Sequence, residues 1–412
     1  MKILIINTYA EIRSTGKITT LLYHHLKESG YEVIVCYRGA RQPKVDNIDY
    51  AQLDSNFYIF EDAFFSMLIG NEGQNNNRGT RKLLKIIDEF HPDIVQLYSL
   101  HGYYLNHFKL LDYLKKNNIA TVYSMIDEYP YMGKCCYSYD CNQFITECIS
   151  CPQYNKSYPK SLFIDNANKI FNKKKDVYKD FINIIFTGPK WVCERAKLSA
   201  LMKGQRIEEL NEPINFNDIF YPRDTKNLRK KLHIPIKNKI VITVTDMKAK
   251  RKGGQYFIEV AKNLLNNENI TFVFVGFNIK QNVPSNVIKI PFVKDQSELA
   301  EYYSLGDIFV CTSLADTMPN VCLEALGCGT PLCGFAEAGT PYCAKPPLGI
   351  FTKTYDINAL AKVIINAPIK NKYIKDDCVK YAHDNFSDKA VFNRLIKIYR
   401  QLIKNKRDDS IQ

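Results

Sequence analysis

Residues Cys311 to Phe335 read Cys311-Thr-Ser-Leu-Ala-Asp316-Thr-Met-Pro319-Asn320-Val321-Cys322-Leu-Glu324-Ala-Leu-Gly-Cys-Gly329-Thr330-Pro331-Leu-Cys-Gly-Phe335. The order is strand, loop, helix, Gly-rich turn, strand, which is the repeating unit of a parallel sheet. Pro319 suits a helix start, so the free N–H groups of Asn320 and Val321 are expected to face a ligand as a diphosphate site. Asp316 precedes that helix and Glu324 lies one turn inside it, so both carboxylates can reach one ligand from different heights. Taken singly, each is more simply an acidic loop residue or a satisfied helix glutamate. The combination favours a ligand site.

Working outward, short β-branched runs alternate with helical patterns at Ile3 to Ile6, Val33 to Tyr37, Ile94 to Tyr98, Thr121 to Met125 and Ile184 to Thr187. A second set follows at Ile240 to Thr245, Thr271 to Val275, Val287 to Phe292, Asp307 to Thr312 and Pro331 to Phe335. Two doubly wound α/β domains are predicted, with ligands beyond the carboxyl ends of the strands and in the cleft that two such domains imply. The expected divisions are an N-terminal domain over 1–210, a linker over 211–236 where Asn-Glu-Pro, Tyr-Pro and Ile-Pro interrupt the pattern, and a second domain over 237–387. The last segment, 388–412, reads as an amphipathic helix returning to the N-terminal domain.

The chain has 412 residues, enough for two cores, and 46% hydrophobic against 24% charged residues excludes a disordered protein. Met1 to Asn7 reads as a buried first strand rather than a signal peptide, and no apolar run is long enough to span a bilayer. A cytoplasmic location follows as the expectation. The formal charge of +13 raises nucleic acid and an anionic membrane surface as partners. Runs such as Asn172-Lys173-Lys174-Lys175 and Arg229-Lys230-Lys231 lie in no nucleic-acid module, so nucleic acid is not expected and a solvated basic face is the simpler reading. Of 13 cysteines, Cys36, Cys311, Cys322 and Cys333 fall inside apolar patterns and read as small core residues.

Two further segments carry chemistry. Lys250-Arg251-Lys252-Gly253-Gly254 follows a strand, where a basic cluster with glycines can clamp a diphosphate and neutralise a leaving group; a solvated basic turn is the alternative. Arg13-Ser14-Thr15-Gly16-Lys17 follows the first strand. Ser14 or Thr15 can cap the next helix, and Gly16 permits close approach of a ligand to backbone N–H groups. No Gly-x-Gly-x-x-Gly follows the first strand, which disfavours a nicotinamide dehydrogenase.

Residues 311–335 resemble the donor site of retaining glycosyltransferase family 4, which has the GT-B fold. Its signature places two acidic residues eight positions apart before Ala-x-x-x-Gly-x-Pro, positions held here by Asp316 and Glu324. The resemblance implies that Asp316 lies by the donor sugar hydroxyls and Glu324 holds the ribose. Gly329, Thr330 and Pro331 match the turn that follows, and Glu337-Ala338-Gly339-Thr340-Pro341 is similar to the family's next loop. Lys252 matches the family's donor-phosphate lysine with Arg251 as companion, whereas the usual Gly-Arg at that strand end reads Thr245-Asp246 here.

The N-terminal half resembles a bacterial surface-polysaccharide subset of the family. The matching stretches are Ser14 to Ile18, Pro92 to Val95, Leu100 to Tyr104, Asp127 to Gly133 and Cys148 to Gln153. Relatives commonly have His-Asp where this chain has Ile126-Asp127, so Asp127 and His101 are the acceptor-side candidates, with Asp127 counted among the catalytic residues. The resemblance implies retaining transfer of a hexose-type sugar from a UDP- or GDP-sugar to a carbohydrate or lipid-linked glycan, without a catalytic metal, in capsule, exopolysaccharide or O-antigen synthesis. Peripheral attachment to the inner membrane face is a companion expectation. Two other classes remain open: a two-domain nucleotide-sugar epimerase and a non-catalytic partner subunit.

Cys135, Cys141, Cys148 and Cys151 form C-x5-C-x6-C-x2-C in a polar, Tyr-rich insertion over 133–153. Four thiolates satisfy tetrahedral zinc, with Cys136 a substitute ligand; disulfides and unrelated free thiols are the alternatives.

Overall fold

The computed structural model describes residues 1–39, 44–277 and 282–409. It divides into two compact units, one of Met1–Asn211 together with the chain from Val391 onward, the other of Glu212–Ala390.

The first unit opens with β1 (Lys2–Asn7), α1 (Arg13–Glu28), β2 (Glu32–Tyr37), β3 (Tyr50–Gln52), α2 (Asn56–Ile69) and α3 (Asn77–Phe90). It continues through β4 (Ile94–Leu97), α4 (His107–Lys116), β5 (Ala120–Ser124), α5 (Ala167–Tyr178), β6 (Ile184–Gly188), α6 (Lys190–Leu198) and β7 (Arg206–Glu209). These strands form one parallel sheet in the order β3-β2-β1-β4-β5-β6-β7. Such a sheet is covered on both faces, so its central strands are continuous apolar runs: Ile3 to Ile6 and Ile94 and Val95 are fully buried.

The second unit contains α7 (Lys226–Lys231), β8 (Lys239–Asp246), α8 (Gly254–Asn263), β9 (Ile270–Phe277), β10 (Val287–Ile290), α9 (Gln296–Leu305) and β11 (Ile308–Cys311). After these come α10 (Asn320–Gly327), β12 (Leu332–Phe335), β13 (Gly349–Thr352), α11 (Ile357–Asn366) and α12 (Lys372–Phe386). The sheet order is β10-β9-β8-β11-β12-β13, again parallel. The last helix, α13 (Asp388–Asp409), lays Phe392, Leu395, Ile396, Tyr399 and Leu402 into a cluster with Ile3, Ile5 and Leu22 of the first unit. The Tyr399 hydroxyl is satisfied there, donating to Gln96 Oε1 at 2.7 Å.

All ten expected strands are present within a few residues of their predicted ends. The sheet edges β3 and β13 were missed, as was the polar edge strand β7, because short edge strands need no apolar run. The segment 211–236 is not a linker. Ile214, Phe216, Phe220, Leu228 and Ile234 are buried in the core of the second unit, and the prolines that interrupt the pattern punctuate packed turns. The Cys-rich insertion, polar in sequence, packs into the first unit: Cys135, Phe144 and Cys148 belong to its main cluster.

Candidate functional site

In the second unit, the carboxyl ends of β8 and β11 bring two basic residues and one acidic residue together. Lys252 Nζ bonds Asp316 Oδ2, and Arg251 Nη1 lies 3.6 Å from the same oxygen while donating to the Ala315 carbonyl at 3.2 Å. Backbone contacts fix both loops: the Leu314 N–H donates to Arg251 O at 2.7 Å, and Thr312 Oγ1 donates to Gly253 O at 2.9 Å. Gly253 has a φ of +64°, and a Cβ there would lie 1.9 Å from Thr312 O, so glycine is required for this approach. The basic turn expected at 250–254 is therefore docked on the acidic loop.

Asp316 is held from a third side. Its carbonyl accepts from Gly339 N at 2.9 Å, and a Cβ on Gly339 would meet Thr317 O at 1.7 Å. The loop similar to the family's next loop thus closes on the Asp316 segment. Just beyond, α10 starts at Asn320, with Pro319 as its N-cap and no side-chain cap; Asn320 Oδ1 is buried without a hydrogen-bond partner. The Cys322 N–H donates to Pro319 O at 2.9 Å. Glu324 lies a turn further in, half-buried, with Oε2 accepting from the Tyr303 hydroxyl at 2.6 Å. Burial, followed by the Glu324 charge, pushes the Tyr303 phenol well up, so it stays a donor that orients the carboxylate. Tyr303 was not anticipated; in sequence it reads as one more core aromatic of α9.

In the first unit, His101 and Asp127 come from the ends of β4 and β5, as parallel neighbours should. His101 Nε2 lies 2.7 Å from Asp127 Oδ2, and Nδ1 lies 3.3 Å from the Tyr158 hydroxyl. Burial pulls the imidazole down, but the Asp127 charge and hydrogen bond outweigh it and leave its pKa raised. Asp127 Oδ1 also accepts from Tyr129 N at 2.9 Å. Ile126 packs partly buried against the α13 cluster, so it contributes no polar group at this site.

Three residues outside the expected site support this corner. Buried Glu72 accepts from Gly102 N at 2.9 Å and from the Tyr129 hydroxyl at 2.8 Å. Arg38 stacks 4.5 Å over the Tyr9 ring. Lys174, expected on a solvated face, is 1% exposed. Its ammonium donates to Tyr129 O and to Met132 O, the latter at 3.0 Å, and lies 3.5 Å from the Tyr129 ring centroid. Burial pulls its pKa down to about 8.

Gly16 lies in the first turn of α1. Helix α1 already begins at Arg13 with Ile12 as its N-cap, so neither Ser14 nor Thr15 caps it. A Cβ on Gly16 would meet Ala10 C at 3.1 Å and Glu11 N at 3.2 Å, so its smallness lets the Tyr9–Glu11 turn pack on the helix.

Of the four expected zinc ligands, Cys135 and Cys148 are buried in the main cluster of the first unit and Cys151 packs against it. Among the described residues, the group whose ligand atoms all lie within 4.8 Å of one another is instead His101, Asp127 and Cys136. All 13 cysteines are unpaired by disulfides.

Residues 238–367 match the family described as Glycosyl transferases group 1. Over 248 residues, or 58% of the chain, the sequence is 23% identical to WcaC of Escherichia coli (strain K12), a protein provisionally named a colanic acid biosynthesis glycosyl transferase. The matched stretch spans 59% of that protein. The fold is similar to sucrose-phosphate synthase from Thermosynechococcus elongatus, with a TM-score of 0.68 at 15% identity, covering 98% of this chain and 99% of the other. It is also similar to Anabaena Alr3699/HepE in complex with UDP-glucose, with a TM-score of 0.58 at 13% identity over 97% and 100% of the two chains. The two parallel-sheet units are those of the GT-B fold. Among the described residues no helix is long and apolar enough to cross a membrane.

Proposed function

We propose that this chain, a GT-B protein carrying a group 1 glycosyltransferase domain, moves a hexose-type sugar from a UDP- or GDP-sugar to a carbohydrate acceptor carried on a lipid, with retention of configuration, in the synthesis of a bacterial surface polysaccharide. The observation that carries the reading is the convergence of Lys252, Arg251 and Asp316 beside the N-terminus of α10. In the free protein the two cations neutralise Asp316. A donor diphosphate would take over both cations and the N–H groups of Asn320 and Val321, releasing Asp316 toward the sugar hydroxyls, while Glu324, aligned by Tyr303, holds the ribose. Cations and helix N–H groups aimed at the departing phosphate stabilise the charge that develops there, so the reading needs no catalytic metal.

On the acceptor side we place Asp127 and His101. Both imidazole nitrogens are engaged, which suits His101 to positioning Asp127 rather than to abstracting a proton. The proton then passes to the leaving phosphate on the front face. Cys135, Cys141, Cys148 and Cys151 hold a structural zinc in this account, supported by their C-x5-C-x6-C-x2-C spacing and by Cys135, Cys148 and Cys151 packing together. The charge of +13 supports a cytoplasmic enzyme that visits an anionic membrane surface. The HepE complex with UDP-glucose supports the donor class. No observation favours the epimerase or the non-catalytic subunit.

The test is incubation of purified protein with UDP- and GDP-sugars and lipid-linked glycans, with the product linkage read by NMR. An axial donor bond retained in the product is expected. Release of an altered free nucleotide sugar without acceptor would point to an epimerase instead.

A further inference from the structure

Helix α2 is amphipathic in the reverse sense. Its inward stripe at i, i+3 and i+7 is Ile59, Asp62 and Ser66, all buried, whereas its outward face carries Phe57, Tyr58, Phe60, Phe64, Phe65 and Ile69. Phe57 is 71% exposed and Phe64 54%. A water-facing helix normally buries its aromatic residues and exposes its polar ones. The outward rings form edge-to-face pairs with one another, Phe57 with Tyr58 at 5.3 Å and Phe64 with Phe65 at 5.6 Å.

A second segment behaves the same way. Leu162, Phe163 and Ile164 are three consecutive exposed apolar residues, Phe163 at 73%. They adjoin the end of α2: Leu162 N donates to Met67 O at 2.7 Å, and Asn166 Nδ2 donates to Ile69 O at 2.6 Å. Helix and loop therefore adjoin as one exposed, largely aromatic patch, the kind of contiguous apolar surface that marks an interaction site. Its borders are basic. Arg78 stacks 4.3 Å over the Tyr58 ring, and Lys156 and Lys160 are exposed just before the loop; Glu61 is the one exposed acid on α2.

We propose that α2 and residues 162–164 form a docking face for an anionic lipid surface, with the aromatic side chains entering the headgroup region and Arg78, Lys156 and Lys160 meeting lipid phosphates. Aromatic rings favour that interface, where an apolar body and nearby cations are both satisfied, and the sign of the charge complements anionic lipid. The proposal deepens the lipid-linked acceptor reading above by naming the surface. It also shifts the attachment from diffuse basic charge to a defined aromatic face. Binding should therefore weaken with salt but not vanish, since salt screens the cations and leaves the aromatic contribution.

The test is flotation with equimolar phosphatidylglycerol/phosphatidylcholine vesicles and with pure phosphatidylcholine vesicles, at low and high ionic strength. Wild-type protein should float with the anionic vesicles and keep part of that binding in high salt. Phe57→Ser/Phe64→Ser/Phe163→Ser should lower partitioning by about tenfold or more, given the apolar area removed, with an unchanged melting temperature and unchanged affinity for UDP. Should the triple variant fold poorly, Phe163→Ser alone must still reduce binding measurably. Retained vesicle binding by the triple variant would overturn the proposal. So would a wild-type chain that ignores both vesicle types but forms a dimer these substitutions dissociate. UDP affinity is read on the same samples, so loss of the donor-site reading and loss of the docking face are separate results.

Discussion

The two candidate corners are built by opposite routes. In the second unit, Lys252 from the loop after β8 meets Asp316 and Glu324 from the loop and helix after β11, and backbone hydrogen bonds between the two loops set their positions. In the first, Glu72, His101, Asp127, Tyr129, Tyr158 and Lys174 are drawn from across about a hundred residues and held by side-chain contacts, those of Glu72 and Lys174 buried. A site of the first kind should lose ligand when a side chain changes and keep its fold. A site of the second kind should lose fold and function together, because each removal leaves a buried polar partner unsatisfied.

The largest expected effect tests that contrast on the donor side. Glu324→Gln and Lys252→Ala should each lower transfer by about a hundredfold or more, the scale of losing one group that stabilises developing charge, while circular dichroism and melting stay close to wild type. Wild-type turnover in both would remove the donor assignment. Lys174→Ala supplies the counterpart. It deprives Tyr129 O and Met132 O of a donor and opens a void, so a loss of about 3 kcal/mol is expected in denaturant unfolding.

The metal sharpens the comparison next. Protein purified without added zinc should carry about one zinc per chain, and chelation should lower its melting temperature. Folded, active, metal-free protein with thiols that alkylate readily in the native state would contradict this.

A smaller effect comes from His101. Its folded pKa is raised, so the stabilisation it provides is fully present below its unfolded pKa of about 6.5 and is lost as pH rises through the folded value. Asp127→Asn should bring the imidazole titration down, as followed by NMR, and flatten that pH dependence. The smallest effect belongs to exposed lysines such as Lys230, where Lys230→Ser should change stability by less than about 0.5 kcal/mol.

The strand pattern was readable because fully buried parallel strands are continuous β-branched runs, as in Ile3 to Ile6. The donor side was readable for a related reason: Asp316, Pro319 and Glu324 lie close in sequence, and a parallel sheet places such loops at one edge. Tyr303 escaped because nothing local separates a phenol that orients a carboxylate from an ordinary core ring. The helix cap was misread because Ser14 and Thr15 imitate one, although the chain turns into α1 earlier, at Ile12. The prolines of 211–236 suggested a linker because they mark turns, and only packing shows that Phe216 and Phe220 between them are core. Lys174 was invisible for the same reason: a lysine in a basic run looks solvated until the carbonyls of Tyr129 and Met132 are found facing it.

The central claim is that the Lys252, Asp316 and Glu324 corner binds a nucleotide-diphosphate sugar. Thermal-shift titration of wild type, Lys252→Ala and Glu324→Gln against a panel of UDP- and GDP-sugars tests it most directly, because a ligand that binds only the native state raises its stability. The account predicts one donor that raises the wild-type melting temperature and loses that effect in both variants. A panel without any response, or a response equal in all three proteins, would contradict it.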